Sequence, residues 1–190
     1  MNIFIGFAPW IIFWVLVSND TFLHAILLAA LSTVIISVRQ IMRRKIKLLE
    51  IGTLVFFLAM TVVAYTADPA WLEKWISVIG NAALLAIALL SVLFRKPFTI
   101  QYAKEQVEPK FWETSGFVST NYHITLFWCG VFFMQTACSA LTIVWPHHET
   151  WFTWVLPISA FVAGIKFSAW YPALARERAQ KSGETQPPPV

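Results

Sequence analysis

Long apolar runs alternate with short polar connections along the whole chain. Six runs stand out, over residues 3–18, 21–38, 51–66, 76–94, 124–145 and 151–171. A helix needs roughly 17–25 mostly apolar residues to cross a bilayer. The pattern therefore predicts an all-α, polytopic membrane protein, a six-transmembrane-helix bundle over residues 1–178. The first and third runs have 16 residues each, slightly short for a span. Flanking residues or local thinning of the bilayer can close that gap.

The connections predict the orientation. The first is Ser18-Asn19-Asp20, and the second holds Arg39, Arg43, Arg44, Lys45 and Lys47. The third runs from Ala67 to Lys74. The fourth, residues 95–121, holds Arg95, Lys96, Lys104 and Lys110, and the fifth is Pro146-His147-His148-Glu149-Thr150. The tail adds Arg176, Arg178 and Lys181, with Lys166 just before it. Alternate sides of the membrane thus carry thirteen Lys and Arg against Lys74 alone. Basic residues mark the cytoplasmic side, so both termini are expected inside (N-in/C-in). Trp71, Trp75, Trp145, Trp151 and Trp154 fall near the outer boundary, and Trp112, Trp170 and Tyr171 near the inner one. These positions fit interfacial aromatic belts. The first run has no Lys or Arg before it, so it reads as a retained helix and not a secretory signal. Residues 179–190, polar and ending in three prolines, are expected to be a disordered tail.

Composition agrees. Of 190 residues, 58% are hydrophobic and only 13% charged, against about 25% charged in soluble domains. The net charge of +4 is sorted by membrane side, which excludes a nucleic-acid partner. Cys129 and Cys138 lie nine residues apart in one run, about 13 Å along a helix. That is too far for a disulfide, so they read as small packing residues.

Reactive chemistry is sparse. No Asp, Glu, Lys or Arg falls in the middle of a run, whereas proton relays and ion-coupled transporters place one there. The histidines, His24, His123, His147 and His148, form no ligand set at one depth. No phosphate loop, nucleophile elbow or catalytic carboxylate pair is present. Hence no enzyme, cofactor or metal is expected. Asn81, Gln135 and Thr136 are polar groups at membrane depth and should turn inward, as interhelical bonds or as the polar lining of a site. The small-residue stripes Ala25, Ala29, Thr33, Ser37 and Ala160, Gly164, Ser168 suit close helix packing. Pro9 and Pro157 are expected to break the first and sixth helices. The cytoplasmic interfacial loop, 95–121, mixes Arg95 and Lys96 with Phe111 and Trp112, a composition suited to lipid headgroups or a partner. Within it, Thr99–Val107 should form a short helix capped by Thr99 and stopped before Pro109.

The start Phe4-Ile5-Gly6-Phe7-Ala8-Pro9, with Phe13, resembles the F-x-x-F-x-P start of the intracellular septation protein A (YciB-like) family. Arg43-Arg44-Lys45-Ile46-Lys47 resembles that family's basic inner loop. Asp68 to Trp75 is similar to its outer segment ending in Lys-Trp, and Phe94-Arg95-Lys96-Pro97 to its basic helix end. Trp112 falls near a tryptophan of its long loop. The chain departs from the family over Pro97–Ala103 and at Trp151–Trp154. The resemblance implies a bacterial inner-membrane protein supporting cell-envelope maintenance or cell division, with no catalytic residues to carry over. The expected partners are membrane lipids and other inner-membrane or division proteins, with a homo-oligomer left open. The alternative is a small-solute transporter or lipid translocator with an intramembrane cavity at Asn81, Gln135 and Thr136.

Overall fold

A computed structural model describes residues 3–17, 21–42, 47–145, 147 and 150–181, with side chains from 5 to 177. Every regular element among them is helical. The order is α1 (Ile3–Leu16), α2 (Phe22–Met42), α3 (Leu48–Thr66), α4 (Pro69–Leu93), α5 (Phe98–Ala103), α6 (Ser115–Val144) and α7 (Leu156–Lys181). A 3₁₀ turn (Pro109–Phe111) precedes α6, and a π turn (Trp151–Val155) leads into α7. Five helices are long and apolar enough to cross a membrane: α2, α3, α4, α6, and the π turn continued by α7. This is the architecture of a multi-pass membrane protein. With 14 residues, α1 spans about 21 Å, less than the roughly 30 Å hydrocarbon core.

The helices outrun the apolar runs. α3 begins at Leu48, three residues before its run, and α6 begins at Ser115, nine residues before. The Thr114 hydroxyl caps α6, accepting from the Phe117 N–H at 3.4 Å. The first turns of α6 are polar in composition but bury Phe117, Thr120 and Asn121. Proline does less than expected. α1 is continuous through Pro9, Pro157 falls in the first turn of α7, and α7 continues through Pro172 to Lys181. The tail from 182 lies outside the described residues.

Length alone suggests one bundle, whereas the structure forms two compact units, Met1–Ile87 and Ala88–Val190, with α4 contributing to both. In the first unit α1, α2 and α3 pack together. Trp10 sits at the centre, stacked on Phe56 (4.9 Å) and tilted against Phe57 (5.0 Å). Gly52 lets α3 meet α4 closely: a Cβ there would lie 2.7 Å from Ile87.

In the second unit α6 packs on α7 and on α5. Trp128 donates its indole N–H to the Ser168 hydroxyl at 2.9 Å, and Phe127 stacks on Phe167 at 4.2 Å. The helix expected from Thr99 is Phe98–Ala103, with Pro97 at its cap position. Thr99 is buried and points elsewhere. Its hydroxyl bonds the Asn121 carbonyl (3.0 Å) and the Thr125 hydroxyl (2.7 Å). With a single hydrogen to give, Thr99 serves the carbonyl while Thr125 donates to it.

α4 ends in a Schellman motif. Lys96 N–H bonds Ser91 O and Arg95 N–H bonds Val92 O, with Arg95 left-handed at φ 56°. Ser91 then accepts from the Phe98 N–H at 3.2 Å, tying α5 to the helix end. Left-handed backbone costs an L residue roughly 1–2 kcal/mol, while glycine's extra unfolded entropy costs about 0.5–1 kcal/mol. Arg95→Gly should therefore stabilise the protein by about 0.5–1 kcal/mol, read as a higher unfolding midpoint in detergent.

Candidate functional site

The densest polar cluster lies in the first unit, where the sequence pattern places none. On α2, Thr33, Ser37 and Gln40 follow one another at helical spacing, below Ala25 and Ala29. On α3, Glu50 and Thr53 share the stripe that continues to Phe57 and Met60. All these side chains are buried, with Gln40 2%, Glu50 3% and Thr53 1% exposed. Lys47, which precedes α3, is also buried at 3%. The sequence pattern places it in the second connection, and there the structure buries it.

Hydrogen bonds knit the cluster across three helices. Gln40 Nε2 donates to Glu50 Oε1 at 3.3 Å, joining α2 to α3. Trp10 Nε1 donates to Thr53 Oγ1 at 2.9 Å, joining α1 to α3. Thr53 and Thr33 each spend their hydroxyl hydrogen on their own helix, at Leu49 O (2.7 Å) and Ala29 O (2.8 Å). Beside Glu50 runs a narrow crevice lined by Gly6, Pro9, Thr33, Ile36, Ser37 and Thr53. Burying a carboxylate costs several kcal/mol, and ionisable groups at such positions are by default candidates for function.

The polar groups expected from the sequence are divided between the two units. Asn81 is buried at 7% on α4, within the first unit. Gln135 and Thr136 belong to α6 in the second unit. Gln135 is 4% exposed, and its Oε1 has no hydrogen-bond partner among the described residues. The Thr136 hydroxyl returns to its own helix at Phe132 O. Among the described residues no three His, Cys, Asp or Glu side chains gather as a metal site.

The loop between α4 and α6 is folded. Phe111 is buried, and half-buried Trp112 donates its indole N–H to Val107 O at 2.9 Å. The Lys104 ammonium lies 4.9 Å from the Trp112 ring centre. Lys110 lies over Phe111 and pairs with Glu108 at 2.6 Å. That pair is mostly exposed and contributes little. Arg95, Lys96, Lys104 and Lys110 are exposed, as are Glu108 and Glu113, whereas the loop's aromatics serve its own packing.

Gln40, Lys47 and Glu50 are the residues that run-counting missed. Their signal was available: Glu50 precedes Thr53 by three and Phe57 by seven, and Gln40 follows Ser37 by three. In comparison with known proteins, no family model, curated protein or solved structure matches the chain.

Proposed function

We propose that this is a bacterial inner-membrane protein with six spans and both termini cytoplasmic, supporting envelope maintenance or cell division through contacts with lipid and other membrane proteins. The observation that carries the reading is the inner loop, a folded segment that presents Arg95, Lys96, Lys104 and Lys110 to its surroundings. Anionic headgroups attract each such cation by about 1 kcal/mol. The sorting of basic residues by side and the resemblance to the septation protein A family support the same reading.

Topology tests the frame. Cysteine accessibility labelling should place Lys104 and Arg178 inside, and Asp68 and His148 outside. Finding Lys104 and His148 on one side would end the six-span reading. α1 is the span most at risk, being the shortest helix of the set.

The loop has its own test. Replacing Arg95, Lys96 and Lys104 together with Gln removes about 3 kcal/mol of attraction at 1 kcal/mol per cation. Anionic phospholipid retained through purification should fall, with membrane abundance unchanged, and an envelope-stress or cell-length assay should show a defect. Wild-type lipid retention and phenotype would overturn the proposal.

A further inference from the structure

We propose that the outward face of α7 binds one anionic phospholipid, with Lys166 on its phosphate. Of the five long apolar helices, the one ending in α7 buries the smallest share of its residues and is also the least apolar. A helix that faces lipid should be the most apolar, so its polar residues need a reason. Its buried stripe holds Ala160 and Gly164, and Gly164 lies under Trp128 of α6. The opposite stripe is exposed throughout: Val155, Ile158, Val162, Lys166, Ala169 and Ala173.

Lys166 is the anomaly. It stands five residues before Tyr171, about 7.5 Å inside the aromatic boundary. Charged residues within a span normally pair or turn toward the bundle. Lys166 does neither: it lies on the stripe opposite the α6 contact and makes no hydrogen bond or ion pair with the described residues. Helical side chains lean toward the N-terminus of their helix. For Lys166 that direction leads away from the nearer boundary, which lies at the C-terminal end of α7. Snorkelling is therefore hindered, and the anion must come to the lysine.

The surroundings fit a phosphate carried by a lipid. Trp170, one turn on, is 57% exposed and held against Phe167 and Tyr171 at 6.2 and 6.5 Å. Its indole N–H has no hydrogen-bond partner among the described residues. Two free donors thus stand at i and i+4 on one side of a helix, and residues 162–173 hold no carboxylate to take them. Ala169 and Ala173 continue the stripe toward the boundary, and their small side chains leave a shallow track for a headgroup. Val155, Ile158 and Val162 continue it the other way, as an apolar bed for an acyl chain. A phosphate accepts from both donors, and its charge strengthens the bond from the lysine. Glu177 is exposed too, but it lies eleven residues on, about 16 Å from Lys166. The site does not rest on the loop between α4 and α6, so either lipid contact can fail without the other.

The test irradiates the full-length protein in mixed micelles with phosphatidylglycerol carrying a diazirine on one acyl chain. Labelled peptides are then mapped by mass spectrometry. Unlabelled phosphatidylglycerol should displace the label on residues 151–173 about fivefold better than phosphatidylcholine, the margin of one cation beside an anionic headgroup. Lys166→Gln should cut that label about tenfold, the loss of one charge-assisted hydrogen bond, and Lys166→Arg should retain it. Trp170→Phe should lower it about threefold. Replacing Arg95, Lys96 and Lys104 together with Gln should leave it unchanged. Should Lys166→Gln fail to reach the membrane, Trp170→Phe carries the same test, and an unchanged label there is equally fatal. A label on α7 that survives Lys166→Gln, that phosphatidylcholine displaces equally well, or that vanishes in the triple variant would overturn the proposal.

Discussion

Glu50→Leu is expected to destabilise the protein by about 3–5 kcal/mol, the range seen when one member of a buried charge pair is removed. The variant leaves the Gln40 amide without the acceptor it now has at 3.3 Å. It also leaves Lys47, 3% exposed, with no carboxylate one turn away. Lys47→Met should cost a similar amount, by isolating Glu50 in turn. The double variant should cost far less than the two together, because replacing both charges by apolar groups removes the desolvation problem. Unfolding in a mixed-micelle denaturant titration reads all three. Additive losses would show that Lys47 and Glu50 are stabilised separately, and a Glu50→Leu loss below about 1 kcal/mol would show that the carboxylate is effectively solvated.

That cluster also marks where sequence pattern stops informing. Hydropathy marks α2, α3 and α4, although α4 begins at Pro69, seven residues before its run, because a lipid-facing helix must keep apolar side chains on most of its surface. Leu31, Val34, Ile35 and Val38 on α2 are all exposed for that reason. The same averaging hides polar groups that a helix buries near its end. Lys47 and Glu50 sit where a basic loop meets an apolar run, and charge counting assigns them to solvent. Only the stripe Glu50, Thr53, Phe57, Met60 shows that the helix has already begun. α6 repeats the lesson: its first turns read as loop because Thr120 and Asn121 are polar, yet both are buried. The loop between α4 and α6 misleads in the opposite direction. Phe111 and Trp112 look like exposed anchors beside basic residues, but they fold back on Val107, Lys104 and Lys110. Asn81 and Gln135 are buried, as amides at membrane depth must be.

The second large effect belongs to the α6–α7 seam, where Trp128→Ala should cost about 3–5 kcal/mol. Lipid is as apolar as a protein core, so transfer from water contributes little to association within the bilayer. What holds the seam is close packing plus one polar link. Trp128 is 1% exposed and meets Phe132 at 5.4 Å and Phe161 at 5.3 Å. Its ring also covers Gly164, where a Cβ would come within 3.1 Å, so glycine is what lets the indole lie flat on α7. The indole N–H bond to Ser168 is worth about 0.6–2 kcal/mol in such a setting. Two smaller changes divide these terms. Ser168→Ala removes the acceptor and leaves the packing, so its cost should stay within about 2 kcal/mol. Trp128→Phe keeps an aromatic face over Gly164 and loses the N–H, and should fall between Ser168→Ala and Trp128→Ala. The seam is then held by shape, with the hydrogen bond setting the rotation of the ring. If Ser168→Ala costs as much as Trp128→Ala, the order is reversed and the polar link dominates. Unfolding from detergent micelles, with near-ultraviolet circular dichroism to follow the indole's environment, separates the two.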